Sequence, residues 1–118
     1  METTLIALAL LALAVALAAI GIAGVTERLP RNRWLGIRTQ ALRDDDQSWR
    51  IGHRAAGAML IAAAGPPLLL AVALIASPPA EAEDWFLIYA AVGVVTGGLI
   101  ALAARQADRA VSDTTDHD

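Results

Sequence analysis

The sequence predicts an all-α membrane protein with three transmembrane helices, and three observations carry that prediction. Three apolar windows without a single charged residue cover positions 5–25, 55–76 and 85–104, and about 20 apolar residues are enough to cross a bilayer. Hydrophobic residues make up 57% of the 118 positions, so as soluble helices these windows would leave almost no polar surface to cover them. The charges lie between and after the windows, in an Arg-rich loop, an acidic loop and a polar tail. In hydrocarbon a backbone must satisfy its own hydrogen bonds, which runs of this length do as helices.

The first window, "LIALALLALAVALAAIGIAGV", follows Met1-Glu2-Thr3-Thr4. It has no basic lead-in and is longer than the apolar core of a signal peptide, so it is read as a retained helix. The loop from Thr26 to Arg54 then carries seven Arg: Arg28, Arg31, Arg33, Arg38, Arg43, Arg50 and Arg54. Pro30 biases Leu29 away from helical backbone, and Gly36 marks a turn or a close approach. Asn32, Arg38 and Thr39 are the side chains expected to hold the loop folded, through backbone groups or through Asp44–Asp46. The three aspartates suit a helix start, so the second helix is expected to begin near residue 45, with Asp46 and Arg50 paired across one turn. Trp49, His53 and Gly57 recur every four residues and share one face. Trp49 is expected to anchor at headgroup depth, His53 to meet a polar partner, and Gly57 to admit a neighbouring helix.

Within the second window, Gly65-Pro66-Pro67 removes two helical donors and predicts a kink that frees the carbonyls near Ala62 and Ala63. No ionisable residue in any window stands ready to join them, which favours a packing kink over a coordination site. The third window contains Gly93 and Gly97, a GxxxG pair suited to close helix packing within the chain or with a second copy. Residues 105–118 end in "SDTTDHD" and are expected to form a disordered tail. All nine cations are Arg and none lies in the Ser77–Asp84 loop. The excess of cations facing the cytoplasm in membrane proteins therefore assigns the Arg loop and the carboxyl terminus inside, and the amino terminus outside. Trp34 and Trp49 suit the inner interfacial belt; Trp85 and Tyr89 suit the outer one.

The pattern Pro30-x-Asn32-x-x-x-Gly36-x-Arg38-Thr39, followed by Trp49-x-x-x-His53-Arg54 and Gly57, resembles the SdpI/YfhL family of small bacterial membrane proteins. In that family a loop of this type lies between two spans, and an aromatic–histidine element leads into the second. The resemblance implies an inner-membrane protein without known enzymatic chemistry. The family takes its name from an immunity protein that protects a toxin-producing cell and signals by holding a repressor at the membrane. The founding member has additional spans before the motif region, so the likeness bears on membership more than on immunity itself.

The remaining chemistry is sparse. There is no Cys, hence no disulfide framework or thiolate nucleophile. His53 and His117 are the only histidines, too few for a metal site, and no cofactor motif is present. The Arg residues are interrupted by Asp44–Asp46 and sit in no nucleic-acid-binding module. Ser48 and Ser77 lack a visible base and orienting group. A lipid-phosphate enzyme built on His53, Arg38 and Asp46 is the one catalytic reading left open. Arg38 has the planar fork that grips a carboxylate or phosphate with two hydrogen bonds. The expected function is a non-enzymatic accessory role in toxin immunity or envelope-stress signalling, with Pro30–Gly57 as the recognition element. The alternatives are a small structural subunit packed through Gly93 and Gly97, and a binder of anionic lipid headgroups. The expected partners are anionic membrane lipid and a membrane protein or a second copy.

Overall fold

A computed structural model of the protein describes residues 2–32 and 34–116. Among these residues the fold is wholly helical: α1 (Glu2–Val25), α2 (Gln40–Arg43), α3 (Asp46–Ala63), α4 (Gly65–Ala76) and α5 (Phe86–Asp116), with a 3₁₀ turn at Ala82–Trp85 before α5. Three helical stretches are long and apolar enough to cross a membrane: Glu2–Val25, Asp46–Ala76 and Glu83–Thr114.

Each terminus has a local cause. After Val25 the chain stops being helical at Glu27, which takes a left-handed backbone (φ 59°). The Arg28 amide then donates back to the Ala23 carbonyl at 2.7 Å and the Glu27 amide to Gly24 at 3.2 Å, a pairing that satisfies the last carbonyls of α1. At the start of α3 the Asp45 side chain accepts from the Ser48 amide at 2.7 Å, capping the helix where donors are otherwise orphaned. That hydrogen bond is the main reason the Asp45 carboxyl sits below its ordinary range. The cap is therefore complete above the usual carboxylate pKa and is lost as pH falls through the lowered value.

Between α3 and α4 the hydrogen-bond ladder is interrupted at Ala64, whose backbone nevertheless stays right-handed (φ −72°, ψ −22°). Pro66 and Pro67 cannot donate to the carbonyls of Ala62 and Ala63, and the ladder resumes with the Leu68 amide on Ala64 at 3.1 Å. The two helices act as one central element: 39% of the apolar window of the Asp46–Ala76 run is buried inside the chain, against 11% for α5.

The tightest packing joins α1 to α3. A Cβ at Gly21 would lie 2.7 Å from the Gly57 carbonyl oxygen, and one at Gly57 would lie as close to the Gly21 carbonyl. Only hydrogen fits where two helix backbones approach so nearly. Gly57 thus performs the close approach expected of it, with Gly21 as its partner. Gly93 and Gly97 do not: nothing lies within 4 Å of a Cβ built at either, so they pack no helix within this chain. Here α5 stands apart from α1.

The expected disordered tail requires correction. α5 continues through Asp116, because Ala103, Ala107 and Val111 recur every four residues and are buried in the core beside Leu42 and Trp49. That stripe docks the helix, and it was hidden behind the acidic residues that follow. His117 and Asp118 lie outside the described residues.

Gly57→Leu should lower stability by about 3 kcal/mol or more, since added bulk must push apart two backbones rather than a flexible side chain. Gly93→Leu should leave the monomer's unfolding unchanged. Thermal unfolding of both variants in detergent measures this; equal melting temperatures would mean that the α1–α3 crossing is not as close as described.

Candidate functional site

Among the described residues from Leu29 to Thr39 there is no helix, so the shape of the loop must come from side chains. Asn32 supplies the first constraint. Its Oδ1 accepts from the amides of Trp34 at 2.8 Å and Leu35 at 2.7 Å, while its Nδ2 donates to the Pro30 carbonyl at 2.8 Å. One amide side chain thereby closes a turn that the backbone alone leaves open. Gly36 follows with φ 108°, a conformation that side-chain-bearing residues rarely adopt. Space forbids a side chain there as well: a Cβ would lie 2.6 Å from His53 Nε2 and 3.1 Å from the Trp49 ring.

His53 supplies the second constraint. It is buried, with 1% of its surface exposed. Nδ1 lies 2.8 Å from the Trp49 carbonyl oxygen, so Nδ1 carries the proton and donates. Nε2 is left as an acceptor and receives the Ile37 amide at 2.8 Å. The ring leans on Trp49, with centroids 4.2 Å apart. Trp49 in turn donates from Nε1 to the Leu29 carbonyl at 3.0 Å. Two side chains, one turn apart on α3, therefore hold both ends of the loop, at Leu29 and at Ile37.

The sequence placed Trp49 at the lipid interface; it is buried, with 1% exposed. The reason is that Gly36 lets the loop fold over its ring. Trp34 is the outward tryptophan, 84% exposed, beside Leu35 at 53%. Thr39 donates to Asp108 Oδ1 on α5 at 2.5 Å, a partner hidden as long as residues after 104 were read as a tail. Arg38 does not bridge to Asp44–Asp46. Among the described residues its side chain has no hydrogen-bond or ion-pair partner, because Ile37 is drawn inward and Arg38 turns out. Asp46 pairs instead with Arg31 at 3.5 Å, in place of the expected Arg50, and Arg54 pairs with Glu27 at 3.6 Å. Both ion pairs are solvent-exposed and contribute little to stability.

Pro30, Asn32, Gly36, Thr39, Trp49, His53 and Gly57 are thus joined in one structure, with Arg38 and Arg54 on its surface. The trio His53, Arg38 and Asp46 is not joined by any hydrogen bond or ion pair among the described residues: backbone groups occupy both imidazole nitrogens and Arg31 holds Asp46. Nor do the described residues contain a cluster of three or more His, Cys, Asp or Glu placed to hold a metal ion. The contributions of the Ile37 amide and the Leu29 carbonyl left no trace in residue identity, since both are backbone groups.

Residues 28–104 match the family model for the SdpI/YfhL protein family. The chain belongs to that family. The match opens at Arg28, one residue before the carbonyl that Trp49 holds, and covers the loop, α2 to α4 and the apolar part of α5. The matched residues thus include the loop, the residues that clasp it and two of the three spans. No curated protein and no solved structure gives a significant match.

Removing the imidazole strands the Ile37 amide in a buried place, which costs about 1–3 kcal/mol. In hydrogen–deuterium exchange the Ile37 amide of the wild type should be strongly protected. In His53→Ala it should exchange like a loop amide while the α3 amides beyond Ala56 stay protected. Unchanged protection at Ile37 would mean that His53 does not hold the loop.

Proposed function

We propose that this SdpI/YfhL family member works without enzymatic chemistry, as an accessory protein of the bacterial inner membrane that confers toxin resistance or relays envelope stress. Its recognition element is the clasped loop. The observation that carries this reading is the Ile37–His53 hydrogen bond, buried and 2.8 Å long. It fixes a loop whose outward side chains are Trp34, Leu35 and Arg38. Tryptophan and arginine supply much of the binding energy where proteins meet, and a loop ordered in advance loses less entropy on binding. A passive linker would need none of these restraints. The structural-subunit reading draws on Gly93 and Gly97, whose open surroundings leave room for a helix from outside the chain.

The orientation belongs to the same proposal: loop and carboxyl terminus in the cytoplasm, amino terminus outside. It is supported by the nine Arg of loop and tail against none between Ser77 and Asp84. With single cysteines introduced at Gln40 and Ala80, an impermeant thiol reagent applied to intact cells should label Ala80→Cys alone. The opposite pattern would invert the topology.

The function itself is tested by complementing a deletion strain challenged with a membrane-active toxin. Trp34→Ala and Arg38→Ala should abolish protection at normal abundance, because neither side chain supports the fold. Trp49→Ala is unsuitable here, since loss of a buried tryptophan costs about 3–5 kcal/mol by itself. Full protection by both surface variants, with protection lost in Gly93→Leu, would replace the recognition loop by the structural-subunit reading.

A further inference from the structure

Helices α1 and α5 both flank the α3–α4 element yet hardly touch each other. Two apolar clefts lie between them, of about 350 Å³ and 340 Å³. Ile100 lines both, and the α1 residues of one continue those of the other, so the two clefts lie end to end as a groove along α5. The α1 wall is Ile6, Leu10, Leu13, Leu17 and Ile20, spaced by three and four residues as one helical stripe. Leu60, Pro67 and Leu70 form the floor. On the far wall Gly93 and Gly97 carry no side chain to fill it. From Ile6 to Ile20 the groove runs about 21 Å at 1.5 Å per residue, more than half of a hydrocarbon core about 30 Å thick.

One end of this groove reaches the loop. Gly36, Ile37, Arg38 and Thr39 line its mouth, so the clasp that fixes Ile37 also fixes where Arg38 stands. Arg38 has no anionic partner among the described residues, and Asp108, held by the Thr39 hydroxyl at 2.5 Å, is not among the groove's lining residues. A guanidinium without an anionic partner among the described residues, beside a long apolar groove, complements a molecule with an anionic head and a hydrocarbon tail. The fork binds phosphate oxygens through charge-assisted hydrogen bonds. We infer that the α1–α5 groove holds an acyl chain of one anionic phospholipid whose phosphate rests on Arg38. This inference is independent of the recognition reading, because occupancy is measured on the purified protein and toxin protection in cells.

The test is native mass spectrometry of the full chain, released from nanodiscs containing equal amounts of phosphatidylglycerol and phosphatidylethanolamine. The wild type should retain one phosphatidylglycerol in preference to phosphatidylethanolamine, whose own ammonium neutralises its headgroup and competes with Arg38 for the phosphate. Arg38→Ala should abolish that preference, whereas Arg43→Ala should leave it within about twofold, as an exposed cation away from the groove. Leu13→Trp or Ile100→Trp should expel the lipid with Arg38 intact, and Ile37 amide protection reports that the loop is still folded; Ile100→Phe serves if the larger residue prevents folding. Glycerol phosphate, which has the head but no tail, should not compete. Equal retention of the two lipids, retention unaffected by Arg38→Ala or by filling the groove, or competition by glycerol phosphate would overturn the inference. So would a dimer whose second copy fills the groove, or a neutral ligand lost on Thr96→Val, which with Tyr89 is one of two buried hydroxyls in the groove wall that lack a partner among the described residues.

Discussion

The hydrogen bond from the Ile37 amide to His53 is the interaction on which the loop depends. A single buried imidazole presents a donor to one backbone and an acceptor to another, and both are used, at 2.8 Å each. The arrangement admits one tautomer, with the proton on Nδ1. A second proton on Nε2 would set two donors face to face across the Ile37 contact. The constraint propagates outward: Gly36 must be glycine to pass beneath the ring, Trp49 must be indole to reach Leu29, and Arg38 must face away because Ile37 faces in.

The bundle is uneven as a result. At the loop end α1 meets α3 across backbones too close for a methyl group, and α5 is drawn in by Ala103 and Ala107, both fully buried. Toward the other end α5 leaves α1, and Gly93, Gly97 and Gly98 face open space. Tight packing at one end positions a loop. Loose packing along the remaining length leaves an apolar groove beside α5. One chain therefore contains a rigid element and a slot, joined at Arg38.

Much of this was legible in the sequence, and the limits have physical causes. The three spans follow from composition, because hydrocarbon permits few alternatives to a helix. The helix start at Asp45, the turn at Gly36 and the close approach at Gly57 each follow from a residue whose special property is local. Asn32 and Thr39 were recognised as loop-holding side chains, and Asn32 does act on nearby backbone. Trp49 and Arg38 were misplaced, because whether a side chain faces lipid, core or water depends on what folds over it, and that is tertiary information. The Trp49 assignment failed because an interfacial and a buried tryptophan look alike until the position of Gly36 above the ring is known. Asp108 was missed because the docked stripe Ala103–Ala107–Val111 is built of small residues with weak periodic contrast. Backbone partners such as the Ile37 amide are invisible in principle, since every residue but proline has one.

The two restraints on the loop also differ in their reach along the chain. Ile37 and His53 are 16 residues apart, whereas Thr39 and Asp108 are 69 apart. A chain made from its amino end can close the first contact as soon as α3 exists, a short loop closure with small entropic cost. The second must wait until α5 has been made. Assembly therefore passes through a stage in which the inner half of the loop is set while Thr39 and the start of α2 still lack their tether. The last turns of α5 finish a surface that the loop begins, so the presentation of Arg38 matures only when α5 has docked.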